Sequence, residues 1–152
     1  MRSPEEAKEI VRRFYDEVFN KRNLKHADEV IADDVVERNP LPPGTGEDKN
    51  AALSSLQTIL DSTPDLQIEI HDMVATGERV ATRATFRGTD GGNGWGAIIG
   101  AAATGKRFSV EGIDVLVLGA DGRFTEHYGI YDAPGMMVQL GLMPASGGAP
   151  PA

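Results

Sequence analysis

The chain has 152 residues, with 15 Lys plus Arg against 23 Asp plus Glu, a formal charge of −8 and no cysteine. A chain this long buries roughly 68–70% of its unfolded surface without covalent staples, so one domain is expected. The missing thiols exclude disulfides, thiolate metal sites and cysteine nucleophiles, and the acidic balance with scattered positive residues disfavours nucleic acid and anionic membrane as partners.

Ser3-Pro4-Glu5-Glu6 joins an N-cap serine, proline at the first helical position and glutamate three residues after the cap. Ala7, Ile10, Val11, Phe14 and Val18 then recur at helical spacing and predict a long amphipathic helix ending near Asn20, with Tyr15 at the edge of its apolar stripe. No apolar h-region precedes it, and no apolar run is long enough to span a bilayer, so a cytoplasmic protein is expected. Leu24 to Ala32 reads as a shorter helix, followed by the extended piece Val35–Asn39 and a loop forced by Pro40, Pro42, Pro43, Gly44 and Gly46.

A third helix is predicted over Asp48 to Asp61, stopped by Pro64. Leu66–Ala75 and Val80–Arg87 flank the turn Thr76–Arg79 and read as a hairpin in which Asp72 and Arg83 share a face. Gly88 to Gly105 is glycine-rich around Trp95 and reads as a long loop, the kind that serves as a lid or binding loop. Lys106–Leu118 and Arg123–Asp132 form a second hairpin around Gly119–Gly122, and Pro134–Leu140 a terminal helix. The domain is expected over residues 1–143, with 144–152 a Pro/Gly/Ala tail. Helices followed by antiparallel strands give the α+β class.

A two-residue turn at Asp121-Gly122 pairs Val117 with Glu126, Val115 with Tyr128 and Glu111 with Asp132. Parity then places Glu111, Glu126 and Asp132 on one face among Ile113, Val115, Val117, Phe124 and Ile130. Carboxyl groups in apolar surroundings hold protons tightly, which predicts an acid/base site on this face. Asp114 and His127 fall on the opposite face and read as a surface or interface ion pair. Glu111, Glu126 and Asp132 are therefore the candidate catalytic residues, although Asp132 also suits a helix cap and Glu126 an arginine partner. Tyr128, Phe124 and Ile113 are expected to line the pocket, with Tyr15 and Asn39 as hydrogen-bonding groups, Trp95 as an apolar gate and His71 as a further lining candidate. No dinucleotide, P-loop, paired-histidine or nucleophile-elbow motif is present, and neither a metal nor a cofactor is expected.

Val11-Arg-Arg-Phe-Tyr-Asp-Glu-Val-Phe-Asn20, Asp33-Asp-Val-Val36, Gly105-Lys106, Asp121-Gly-Arg123, Glu126-His-Tyr128 and Asp132 with Gln139-Leu-Gly141 occur in an order that resembles the SnoaL-like polyketide cyclase family of the nuclear-transport-factor-2-like superfamily. The resemblance implies a cone-shaped α+β barrel, its curved antiparallel sheet wrapped around the long N-terminal helix and enclosing an apolar pocket. It further implies a cofactor-free intramolecular aldol-type ring closure of a polyketide-like ester, with Asp132 as acid/base. Tyr128 stands where the family's Glu-His-Trp has tryptophan, and the loop around Trp95 is longer than the family's connection. Other functions found on this fold are a ketosteroid-isomerase-like proton shuttle, epoxide opening and non-catalytic small-molecule binding. A hydrophobic small molecule is the expected ligand, and a homodimer or higher homo-oligomer the expected assembly.

Overall fold

The computed structural model describes residues 2–95 and 102–145. Residues 96–101 of the glycine-rich segment and 146–152 of the expected tail lie outside the described residues.

Helix α1 (Pro4–Tyr15) begins with the expected capping box: Ser3 Oγ accepts from the Glu6 amide at 3.2 Å, and Glu6 Oε2 accepts from the Ser3 amide at 2.7 Å. The helix then widens into a π-helical turn, Asp16–Asn20, which gathers Phe14, Tyr15 and Phe19 into one aromatic group with ring centroids 5.6–6.1 Å apart. Asn20 closes this segment by exchanging two hydrogen bonds with the Ile68 backbone, at 2.8 and 3.2 Å. Helix α2 (Leu24–Val30) stops earlier than its sequence suggests, because strand β1 (Ile31–Glu37) starts at once and joins the sheet. Helix α3 (Lys49–Ser62) is capped by Asp48, whose side chain accepts from the Ala51 amide at 2.9 Å.

Four strands follow: β2 (Gln67–Thr76), β3 (Arg79–Thr89), β4 (Arg107–Leu118) and β5 (Phe124–Tyr131), then helix α4 (Ala133–Gln139). The five-stranded sheet runs β1-β5-β4-β3-β2. It is mixed and open rather than wholly antiparallel, since β1 lies parallel to β5 with Ile31 beside Phe124 and Glu37 beside His127. In the first hairpin, Thr76 pairs with Arg79, and a bulge at His71 sets Asp72 opposite Arg83; the two join in an ion pair at 2.7 Å.

The register expected for the second hairpin is found: Val117 pairs with Glu126, Val115 with Tyr128 and Ile113 with Ile130. Its faces are reversed. Phe108, Val110, Gly112, Leu116 and Leu118 are buried, whereas Ile113 is 55% exposed and Ile130 74% exposed. The cause on β5 is a bulge: Leu118 pairs with Phe124 and Val117 with Glu126, leaving Thr125 over. Phe124 thus points inward while Glu126, two residues on, points outward.

The core has two clusters. One joins α1 and the π-helical turn to β2, β3 and Phe124; the other joins Trp95, Phe108, Val110, Met136 and Leu140. Ile59 and Phe86 belong to both. Among the described residues no helix is long and apolar enough to cross a membrane. Leu116→Ala is expected to cost about 2–5 kcal/mol of stability by emptying the core, and Ile130→Ala no more than about 0.5 kcal/mol. Urea denaturation of both variants checks the face assignment, and the opposite ranking would refute it.

Candidate active site

A cavity of about 640 Å³ lies between the two clusters, walled by apolar side chains from α1, α3, β3, β4 and α4. Its volume suits a small organic ligand. Four polar residues meet at its floor, each from a different element. Glu37 ends β1 and is 4% exposed; both of its oxygens face His127 Nδ1, at 2.8 and 2.9 Å. His127 Nε2 lies 3.2 Å from Asp114 Oδ1, and Asp114 Oδ2 accepts the Tyr15 hydroxyl. Glu37 Oε1 also accepts from the Asn39 amide at 2.8 Å.

Backbone pairing brings three of the four together, and Tyr15 reaches them from the end of α1. Parallel pairing sets Glu37 beside His127, and the β4–β5 ladder sets Asp114 opposite Gly129, diagonal to His127. Glycine is required there, because a Cβ on residue 129 would stand 2.5 Å from Asp114 Oδ1 and 2.9 Å from the imidazole. The Gly129 amide donates to Asn39 Oδ1 at 2.8 Å, tying the chain after β1 to the same strand.

The charge state follows from these contacts. Desolvation works to lower the His127 pKa, but the hydrogen bonds and negative charges of Asp114 and Glu37 together outweigh it and hold the pKa up at about 10. The ring is an imidazolium at neutral pH. Burial, then the charge of Asp114 and the hydrogen bond to it, push the Tyr15 phenol well above its ordinary range, so it is a neutral donor. The result is a carboxylate with a fixed donor on each oxygen, in a cavity whose other surfaces are largely apolar.

Of the residues singled out in the sequence, Tyr15, Asn39, Trp95 and Phe124 line the cavity. Asp132 does not: it is exposed and caps α4, accepting from the Gly135 amide at 2.9 Å. Glu111 is exposed and bound to Arg83 at 2.6 Å. Glu126 binds Arg38 at 2.7 Å and accepts from Tyr128 at 2.9 Å, and the Arg38 hydrogen bond holds its carboxyl below the usual range. The expected three-acid cluster on a cavity wall is therefore not formed. Tyr128 and Ile113 are on the exposed face with them. His71, in the β2 bulge, is exposed and lies 2.6 Å from Thr85 Oγ1. Conversely, Asp114 and His127, assigned to the outer face by parity, form the cavity floor. Glu37 went unnoticed, although it shares the parity of Val35, which is also buried.

The family model of the SnoaL-like polyketide cyclases matches residues 9–140. No curated protein sequence matches the chain significantly. Among solved structures, it is similar to IdmH, a proposed polyketide cyclase from Streptomyces antibioticus, at 32% identity and a TM-score of 0.72, over 89% of this chain and 98% of that one. TsrD from Streptomyces laurentii superposes with a TM-score of 0.79 at 24% identity, over 94% of this chain and 100% of that one. An M. tuberculosis LEH-like epoxide hydrolase gives a TM-score of 0.65 at 21% identity, over 90% of each chain. The last two likenesses are of fold alone. Together with the open α+β sheet and its apolar cavity, the match over residues 9–140 shows that the chain belongs to the SnoaL-like polyketide cyclase family.

Proposed function

We propose that the chain is a cofactor-independent acid/base enzyme that closes a ring by intramolecular aldol-type addition in a hydrophobic carbonyl compound, with Asp114 as the acid/base. The observation that carries this reading is the Tyr15–Asp114–His127–Glu37 chain opening into an apolar cavity. Membership in the cyclase family supports the reaction class.

In this mechanism an Asp114 oxygen takes a proton from the carbon next to a substrate carbonyl. The C–H pair becomes an enolate, whose carbon attacks a second carbonyl of the same molecule. One C–C bond forms, and the new alkoxide takes the proton back from Asp114, so nothing is gained or lost overall. Tyr15 and His127 hold the carboxylate in one orientation, which removes reorganisation from the step. Glu37 keeps the imidazole charged and oriented, as a carboxylate does for a catalytic histidine elsewhere.

Asp132 is less well supported as the acid/base, since its carboxyl is exposed and occupied as a helix cap. Asp114→Asn is expected to lower kcat by about 10²–10⁴-fold with ligand affinity kept, whereas Asp132→Asn changes turnover and stability little, since asparagine caps a helix about as well as aspartate. Steady-state assays on a panel of aryl polyketones decide between the two aspartates, and unchanged turnover in Asp114→Asn would sink the proposal. Binding with no conversion of any panel member would point to the non-catalytic alternative.

The raised His127 pKa carries a stability consequence with a definite sign. The folded protein holds this proton up to about pH 10, whereas an unfolded histidine releases it near its ordinary value of 6.5. The stabilisation is fully present below about pH 6.5 and is lost as pH rises through about 10. Urea midpoints are expected to fall across that window in the native protein, with a shallower slope in His127→Gln. Equal slopes in the two proteins would rule out His127 as the source.

A further inference from the structure

The cavity has a second built end, remote from Asp114, and its components come from the glycine-rich segment. Asp90 is fully buried, and its side chain is committed to that segment: Oδ1 accepts from the Trp95 amide at 2.6 Å, and Oδ2 accepts from the Thr104 amide at 2.7 Å and the Thr104 hydroxyl at 2.8 Å. The Asp90 carbonyl takes the Gly105 amide at 2.9 Å as well. One residue thus holds both sides of the segment, and the indole it positions is fixed again by Nε1 donating to Thr63 Oγ1 at 2.7 Å.

Trp95 packs against Tyr131 and Phe108, with ring centroids at 5.6 and 6.1 Å, and faces the cavity. Phe108 and Asp114 lie on the same inward face of β4, six residues apart, which at strand spacing is on the order of 20 Å. The acid/base group and the indole therefore stand toward opposite ends of the cavity, with Val110 and Leu116 among its walls. A buried tryptophan whose amide and ring nitrogen are both hydrogen-bonded and whose ring packs against two aromatic side chains has little freedom to yield to an oversized ligand.

We propose that Trp95, positioned by Asp90 and Thr63, is the specificity-determining residue that sets the length of carbonyl compound the cavity accepts. The carbonyl end lies at Asp114 and the far apolar end stops against the indole. This rests on the reading of Asp114 as the reactive end. Asp90 is a positioning residue in this scheme, acting only through the indole.

Trp95 is the only tryptophan in the chain, so its emission reports on that end of the cavity alone. The test uses straight-chain phenyl ketones of increasing length, with binding followed by calorimetry and by tryptophan emission. Affinity is expected to rise about three- to fourfold per methylene up to a limiting length and then to fall. Emission should stay unchanged for the short ketones and shift for those near the limit. Trp95→Ala is expected to move the limit to longer ketones, and Asp90→Asn to blur it. Affinity that climbs without a limit in the native protein, or a limit unmoved in Trp95→Ala, would overturn the inference. Should Trp95→Ala fail to fold, the emission of the native protein decides, and emission insensitive to the longest bound ketones overturns it too. Because the limit is a property of binding, Asp114→Asn is expected to keep it. A limit in a native protein that converts none of the carbonyl compounds it binds would uphold Trp95 while removing the catalytic reading.

Discussion

An imidazolium held between two carboxylates is the interaction on which the arrangement of this molecule turns. Glu37 is almost wholly removed from water, and an isolated buried carboxylate is costly unless it is paired and hydrogen-bonded. His127 supplies the charge and the Asn39 amide a further donor. That pairing needs β1 parallel to β5, since only this neighbour relation brings the end of β1 alongside the middle of β5. It also needs glycine at position 129, where any side chain would enter the space taken by Asp114 and the imidazole. Tyr15 completes the chain from the last residue of α1, so a helix and three strands meet at one polar point. Removing one partner from such a buried group costs about 3–5 kcal/mol, which ties the integrity of the fold to that of the site.

The elements were legible in the sequence because their signals are local. The capping box at Ser3, the prolines after Asn39 and the Gly77-Glu78 turn each act over a few residues, and the expected helices and strands lie close to the observed ones. The pairs expected in the second hairpin recur although the two-residue turn they were argued from does not form: Gly119 closes on Arg123, and the bulge at Thr125 shifts the ladder back into the expected register. Which face looks inward was not legible. Both faces of β4 are apolar, with Val110 and Leu116 on one and Ile113, Val115 and Val117 on the other, so alternation offers no contrast. The bulge at Thr125 then separates Phe124, correctly placed inside, from the residues assumed to follow it. Those two circumstances sent Glu126 and Glu111 outward and brought His127 and Asp114 inside.

Tyr15, Asn39, Trp95 and Phe124, singled out in the sequence and found along the cavity, share a different property. Tyr15 ends α1 and Phe124 opens β5, while Asn39 and Trp95 lie in the segments after β1 and β3, where inward placement depends on the path of the chain. Glu37 was missed because a buried acid only makes sense once its cationic partner is known, and His127 lies 90 residues away in the sequence. The π-helical turn after Tyr15 was equally hidden, since the apolar spacing from Ala7 to Val18 reads as regular helix. It is nevertheless this turn that gathers Phe19 with Phe14 and Tyr15 beside the cavity.

The outcome is a cavity with a charged floor at one end and a fixed indole at the other, both held by buried carboxyl groups. The most direct test of this account is the protonation state of His127, read from its ring nitrogens by nuclear magnetic resonance on histidine-labelled protein at pH 8. The chain has three histidines, and His127 alone lies between two carboxyl groups, so its ring signals are assigned by their loss in His127→Gln. The account predicts that both nitrogens of His127 remain protonated at that pH. A neutral ring at that pH would contradict it.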